Sequence, residues 1–398
     1  MDRRSTRSAI RAIGTAVPGT GVSQSDLLEL MKRAHRADQA LARRLDVLYR
    51  RSRIERRYSC LAPRGEPSEA AAFYPLPASG GRSPAASSPP TAGPSTAARM
   101  QVYREAVVPL AEAAVVAMRE RLPAFDSSRV THLLVASCTG FYAPGPDVDL
   151  ARCLGLTPAI ARTLIGFVGC HAGLSALRVA DAICRADPRS VVLLVCVELC
   201  TLHFQIDPTD DNLLANSLFG DGACAVLVTA EEPGGAPPGD GVAGVHAARR
   251  LAIVRTASRL QPGGADAMAW TIGDRGFQMG LSALLPRLVE LDIAAFVREA
   301  LPLPSAVTGH SEFWAVHPGG PAILDRVERA LALAPHCLDA SRSVLRVFGN
   351  MSSPTVFFVI DRLWDAMPAG AHRHGRALAF GPGLTFEGAV LEAVESTP

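Results

Sequence analysis

The chain has almost no excess charge of either sign: 40 Lys and Arg against 38 Asp and Glu leave a formal net charge of +2. No dedicated nucleic-acid or anionic-membrane surface is therefore expected. Lysine is nearly absent, with Lys32 alone among arginines, which points to GC-rich coding and not to chemistry. Nine cysteines are present, but none form a Cys-x-x-Cys pair with zinc-like spacing. Their odd count, with Cys138, Cys184, Cys196, Cys200 and Cys224 inside apolar runs, excludes a disulfide framework and implies a reduced, cytoplasmic protein. No apolar run reaches the roughly 18 residues of a spanning helix. The N-terminal "MDRRSTRSAIRAIGTAVPGTG" has no long apolar core, so no signal peptide is expected.

What is there is a large apolar reserve: 398 residues, 48% hydrophobic, suffice for two fused units of similar size. A first strand, "SAIRAIGTAVPG", precedes a helix in "SQSDLLELMKRAHRA" capped by Ser23 or Ser25. Residues 62–98 are rich in Pro, Ser, Ala and Gly and read as a partly disordered surface excursion. Strand and helix signals then alternate. "THLLVAS" and "TLIGFVG" are strands, and "SVVLLVCVEL" and "ACAVLVTA" are strands of the continuous apolar kind, as in a sheet covered on both faces. The Gly/Pro-rich "EEPGGAPPGDGVAG" marks a boundary near residue 235, giving halves 1–235 and 236–398. The second half repeats the pattern, with strands "LAIVRTAS" and "FWAVHPG", helices "PAILDRVERALAL" and "SPTVFFVIDRLW", and two strands joined by a glycine turn in "RALAFGPGLTFEGAVLEAV". A layered α/β architecture follows.

Three stretches carry candidate chemistry. Cys170 stands between the strand "TLIGFVG" and a helix, where the helix dipole and free N–H groups favour a thiolate. His317 ends a strand and meets Pro318-Gly319-Gly320. Asn350 follows a glycine and precedes a Ser-Ser-Pro helix start. Taken singly, each has an ordinary reading: a buried cysteine, a structural histidine, a turn asparagine.

Together they resemble the type III polyketide synthases, the chalcone synthase-like enzymes, in a bacterial form. The matching segments are Gly-Cys-x-Ala-Gly at Cys170, "LFGDGA" at 218–223, "WAVHPGGPAILD" around His317, "GNMSSPT" around Asn350 and "FGPGLTFE" at 380–387. The resemblance implies a thiolase fold, two βαβαβαββ halves in a five-layered αβαβα arrangement, usually as a homodimer. It implies no metal and no resident cofactor, with CoA thioesters as substrates.

On that resemblance Cys170 is the nucleophile acylated by an acyl-CoA starter. His317 would pair with it as imidazolium and thiolate. His317 and Asn350 would donate to the enolate oxygen formed when malonyl-CoA loses carbon dioxide. Phe219 and Phe277 match gatekeepers between a CoA tunnel and a cavity. Cys138, Thr139, His203, Met268 and Ser352 match cavity-lining positions, and Ala322 and Arg51 are further candidate substrate contacts. Arg51 belongs to a basic cluster with Arg44, Arg50 and Arg53, in the region that meets the CoA phosphates in the family. Three positions depart from the plant enzymes: Cys138 for threonine, His171 for phenylalanine and Met268 for glycine. They argue against a chalcone-type product. A fatty acyl starter giving resorcinols or pyrones is the first expectation, and a malonyl-primed tetrahydroxynaphthalene or phloroglucinol route the second. A ketoacyl synthase III of fatty-acid initiation fits the wording around His317 and Asn350 less well. A non-catalytic thiolase-fold protein would be expected to lack one of the three residues.

Overall fold

The structure is a computed structural model that describes residues 7–62, 64–74, 93–123, 125–231, 249–304, 312–368 and 372–395. The first half runs β1 (Arg7–Ala16), β2 (Val22–Ser23), α1 (Gln24–Ala34), α2 (Gln39–Arg51), β3 (Arg56–Arg57), α3 (Pro67–Phe73) and α4 (Thr96–Glu120). It continues with β4 (His132–Ser137), α5 (Pro146–Cys153), β5 (Ala161–Gly166), α6 (Ala172–Ala186), β6 (Val191–Leu199), α7 (Asp210–Leu218) and β7 (Asp221–Glu231). The second half comprises β8 (Arg249–Leu260), β9 (Met268–Gly273), β10 (Gly276–Leu281), α8 (Leu285–Ala300), β11 (Glu312–Val316) and α9 (Pro321–Ala330). It ends with α10 (Asp339–Phe348), α11 (Thr355–Asp365), β12 (Arg373–Gly381) and β13 (Thr385–Glu395).

The strands pair in the order β11-β12-β13-β8-β1-β7-β6-β4-β5. The seam between halves is short: β1 meets β8 antiparallel through Ser8, Ala9 and Ile10. On either side of it the order is the same when each half's strands are numbered along the chain, apart from one strand. The second half has no partner for β5 among the described residues, and α10 leads instead into the Gly349-Asn350 turn. Among the described residues, that half therefore shows four of the five strands of the expected βαβαβαββ pattern in the main sheet.

Alternation along the strands builds the layers. One face of the first-half sheet presents Ala12, Leu133, Val135, Leu193, Val195 and Leu227 to α4. The opposite face presents Ile10, Ile13, Leu134, Leu194 and Val226 to α6 and α11. Those two helices also cover Phe313, Ala315, Ala377 and Leu391 of the second-half sheet, whose far face packs Val316, Leu378 and Phe386 against α8 and α9. Helix, sheet, helix pair, sheet, helix pair is the five-layered thiolase arrangement. It explains why β6 and β7 are buried at every position and read as unbroken apolar runs.

Ser23 caps α1, its hydroxyl accepting from the Asp26 N–H at 3.1 Å. The 62–98 excursion is less peripheral than its composition suggests. It contains α3, and Tyr74 is buried with its hydroxyl donating to the Thr201 carbonyl at 2.6 Å. Residues 75–92 of that excursion and the expected boundary at 235 lie outside the described residues.

β1 and α4 approach closely at Gly14. A Cβ there would stand 2.0 Å from the Met118 nitrogen and 2.4 Å from the Ala114 carbonyl of α4. Backbone cannot rotate aside as a side chain can. Gly14→Ala is expected to cost about 1–3 kcal/mol by overpacking, read as a lower urea midpoint. An unchanged midpoint would show that α4 can lift away freely.

Candidate active site

Each half delivers two turns to the same place, one at the end of its second strand and one at the start of its central-layer helix. In the first half these are Cys138–Thr139 after β4 and Gly169–Cys170 before α6. In the second they are His317–Gly320 after β11 and Asn350–Ser353 before α11. Because α6 and α11 lie side by side between the sheets, their N-termini bring Cys170 and Asn350 together. Gly169 makes the turn possible: its φ is +82°, and a Cβ would lie 2.4 Å from Pro382 Cδ.

The Asn350 amide is oriented by its neighbours. Its Oδ1 accepts from the Ser352 N–H at 2.8 Å, which turns the NH2 group toward the Gly319 carbonyl at 3.3 Å and Cys170 Sγ at 4.0 Å. His317 is held by its backbone, whose N–H donates to the Leu378 carbonyl at 2.8 Å. Its ring is buried, yet neither Nδ1 nor Nε2 has a hydrogen-bond partner. An imidazole with two unpartnered nitrogens at a cavity wall is available to a ligand.

A cavity of about 330 Å³ opens from this point to the surface. Cys170, His317, Asn350, Phe219, Met268, Ala322 and Arg51 all line it. Of the basic cluster, Arg51 alone lies on this passage. Arg44 pairs with Asp210, and Arg53 reaches Asp325 at 3.4 Å. Behind Cys170 the space is small. One recess of about 20 Å³ is bounded by Cys138, Thr139, Phe219, Met268, Trp270 and Ser352. A second of similar size lies between Cys200, His203, Phe219, Trp270 and Phe277. Phe219 therefore stands at the junction of all three spaces. Phe277 does not border the main passage; its ring stacks on His203 with centroids 4.2 Å apart.

His203 is fixed as a neutral tautomer. Its Nδ1 accepts from the Phe277 N–H at 3.0 Å, so Nε2–H donates to the Thr139 carbonyl at 2.7 Å, and burial pushes its pKa down to about 3.

The residue that sequence reasoning missed is Glu198. It is fully buried on β6, and its carboxylate accepts from Ser353 Oγ at 2.6 Å, Thr139 Oγ1 at 2.8 Å and the Cys138 N–H at 2.9 Å. It thus ties the turn after β4 to the turn before α11. Burial raises its pKa to about 7 against those three donors. A signal was available: a lone carboxylate at the end of "VVLLVCVEL" has to be satisfied somewhere. The β9–β10 hairpin, which brings Trp270 and Met279 to the recesses, gave no such signal.

The electrostatics correct one expectation. Ser352 and Asn350 favour the Cys170 thiolate, but burial outweighs them and pushes the thiol up to about 11. Burial likewise pushes His317 down to about 3. A helix terminus supplies at most about 2 kcal/mol, whereas full burial can shift a group by roughly 3–5 pK units. Burial thus works against both charges of the expected thiolate–imidazolium pair.

Alkylation of Cys170 by iodoacetamide should then accelerate about tenfold per pH unit between 7 and 10. A rate already flat from pH 6 upward would mean that the ion pair is preformed. Glu198→Gln should keep the fold but lose about 1–3 kcal/mol, because the new NH2 faces donors. Urea unfolding checks this, and an unchanged midpoint would remove Glu198 from its structural role.

Comparison with known proteins places the chain in a family. Residues 86–233 match the family described as chalcone and stilbene synthases, N-terminal domain, and residues 252–395 match its C-terminal domain. Type III polyketide synthase C of Arabidopsis thaliana is 32% identical over 97% of this chain and 95% of its own. An alpha-pyrone synthesis polyketide synthase-like protein of Mycobacterium tuberculosis is 29% identical over 98% of this chain and 92% of its own. The crystal structure of PKS-I from the brown alga Ectocarpus siliculosus superposes with a TM-score of 0.83 at 28% identity, covering 99% of this chain and 100% of that one.

Proposed function

Since the chain belongs to the chalcone and stilbene synthase family of type III polyketide synthases, we propose that it condenses malonyl-CoA, with loss of carbon dioxide, onto a short acyl-CoA starter held on Cys170. The observation that carries this reading is the convergence on one passage of a thiol, an imidazole with two free nitrogens and an amide whose NH2 is locked toward the thiol.

In this scheme Cys170 gives its proton to His317 as its sulfur attacks the starter thioester. The acyl–CoA bond breaks, and the CoA thiolate leaves with that proton. The proton transfer generates both charges together, so each compensates the other at the moment burial would penalise it alone. Malonyl-CoA then occupies the passage, with Arg51 at its mouth suited to the CoA phosphates. As the C–CO2 bond breaks, its electron pair forms an enolate whose oxygen receives the Asn350 NH2 and a His317 N–H. Removing one such donor typically costs about 10²–10³ in rate. The enolate carbon attacks the acyl group and expels the Cys170 thiolate, which leaves the lengthened chain as a CoA thioester; Cys170 attack on that thioester then releases CoA and starts the next round. Repetition and cyclisation would give a pyrone or polyhydroxy-aromatic product.

The size of the interior supports a short starter, or malonyl priming, over the fatty acyl starter first expected. Each recess behind Cys170 is about 20 Å³, room for about one water. Met268 fills part of it. The expected homodimer is consistent with the open edge at β5, where Leu164 is exposed.

Purified protein incubated with malonyl-CoA and acyl-CoA starters from acetyl to long-chain should turn over fastest with the short ones, and Cys170→Ala should give no product by mass spectrometry. Met268→Gly should move the optimum to longer starters. Wild-type protein that prefers long chains would overturn the short-starter reading. Cys170 that is never acylated by any CoA thioester would overturn the CoA-dependent reading as a whole.

A further inference from the structure

A second constellation lies at the other end of β12, away from Phe380 and the passage. His372, just before β12, and His374 within it are two residues apart and so share one side of the strand. Their ring centroids are 5.2 Å apart. Glu392 on β13 is the register partner of His374. One oxygen of Glu392, Oε1, lies 2.6 Å from His372 Nε2 and 3.6 Å from His374 Nε2. One donor atom from each residue falls within 4.8 Å of the others. The second oxygen, Oε2, receives the Arg7 guanidinium at 3.2 Å.

We propose that His372, His374 and Glu392 form a binding site for one zinc-class divalent ion. Two imidazole nitrogens and one carboxylate oxygen suit Zn²⁺, with Cu²⁺ and Ni²⁺ as competitors, and are the wrong donors for Mg²⁺ or Ca²⁺. Tetrahedral bonds of about 2.0–2.1 Å set ligand atoms about 3.4 Å apart. The His374–Glu392 separation of 3.6 Å is already near that value. The His372–Glu392 separation must open by less than 1 Å, which the His372 side chain, 60% exposed, is free to do. An ordinary His372–Glu392 ion pair leaves the approach of His374 Nε2 to the same oxygen without a role. Arg7 occupies the oxygen the metal does not need and so orients the carboxylate, as partners behind metal ligands commonly do. The exposed side of His372 leaves the fourth position to water.

The ion is structural. His374 lies six positions from Phe380 on the passage wall, about 20 Å along an extended strand. An ion there cannot polarise a substrate at Cys170, but it can pin β12 to β13 at the end remote from the active site.

The test is a Zn²⁺ titration of the full-length protein against a chromophoric chelator, for wild type, His374→Ala and Glu392→Gln. Wild type should bind one ion per chain, and each variant should bind roughly a hundredfold more weakly. Substitution of Co²⁺ into wild type should give visible d–d bands without a thiolate charge-transfer band. This wild-type spectrum decides the matter even if a variant fails to fold. A thiolate band would place the metal on cysteine and overturn the proposal. So would the absence of stoichiometric binding, or equal affinity in folded variants.

Discussion

One buried carboxylate holds the active site together. Glu198 lies in a fully apolar strand, and its three short hydrogen bonds bind the turn after β4 to the turn before α11, which come from different halves of the chain. Cys138, whose N–H reaches that carboxylate, also accepts the Gly169 N–H on its sulfur at 3.1 Å. Glu198 is thus linked on one side to the backbone preceding Cys170 and on the other to the turn that carries Asn350. This tie supports the long Asn350 to Cys170 contact of 4.0 Å from both sides. It is costly to bury and costly to break, as polar networks in a low-dielectric interior are.

The same dryness sets the state of the reacting groups. A thiol and an imidazole that are both pushed toward neutrality do not attract one another in the empty site. They become a charged pair only when a proton crosses between them. Alkylation and oxidation act on the thiolate, so burial that disfavours it also slows both. Reactivity is then gated by what enters the passage.

Much of this was legible in the sequence. Continuous apolar strands announced a sheet covered on both faces, and the motifs around Cys170, His317 and Asn350 located all three groups that the fold brings together. Two kinds of feature were not legible. That the described residues of the second half hold no counterpart of β5 was hidden because α10 carries a regular apolar face, and nothing local says which element a half must repeat. The fine structure of the interior was hidden because it depends on pairs distant in sequence, such as Phe277 stacked on His203, or Trp270 donating to the Cys138 carbonyl at 3.2 Å. Local pattern fixes the period of an element, but not what its side chains meet across the fold. The pull of burial on Cys170 was hidden for a related reason: a helix terminus is visible in sequence, and the depth at which it is buried is not.

The matching turns of the two halves carry a historical implication. The turn holding Cys138 and Thr139 corresponds to the one holding His317, and the turn holding Cys170 to the one holding Asn350. An ancestor made of two identical halves would have presented each kind of turn twice around one centre. After duplication joined them in one chain, each copy was free to drop what the other kept. One copy retained a nucleophile, the other a pair of donors, and the counterpart turns became scaffold. The asymmetry of the chemistry would in this sense record divergence between halves whose strand order still matches apart from one strand.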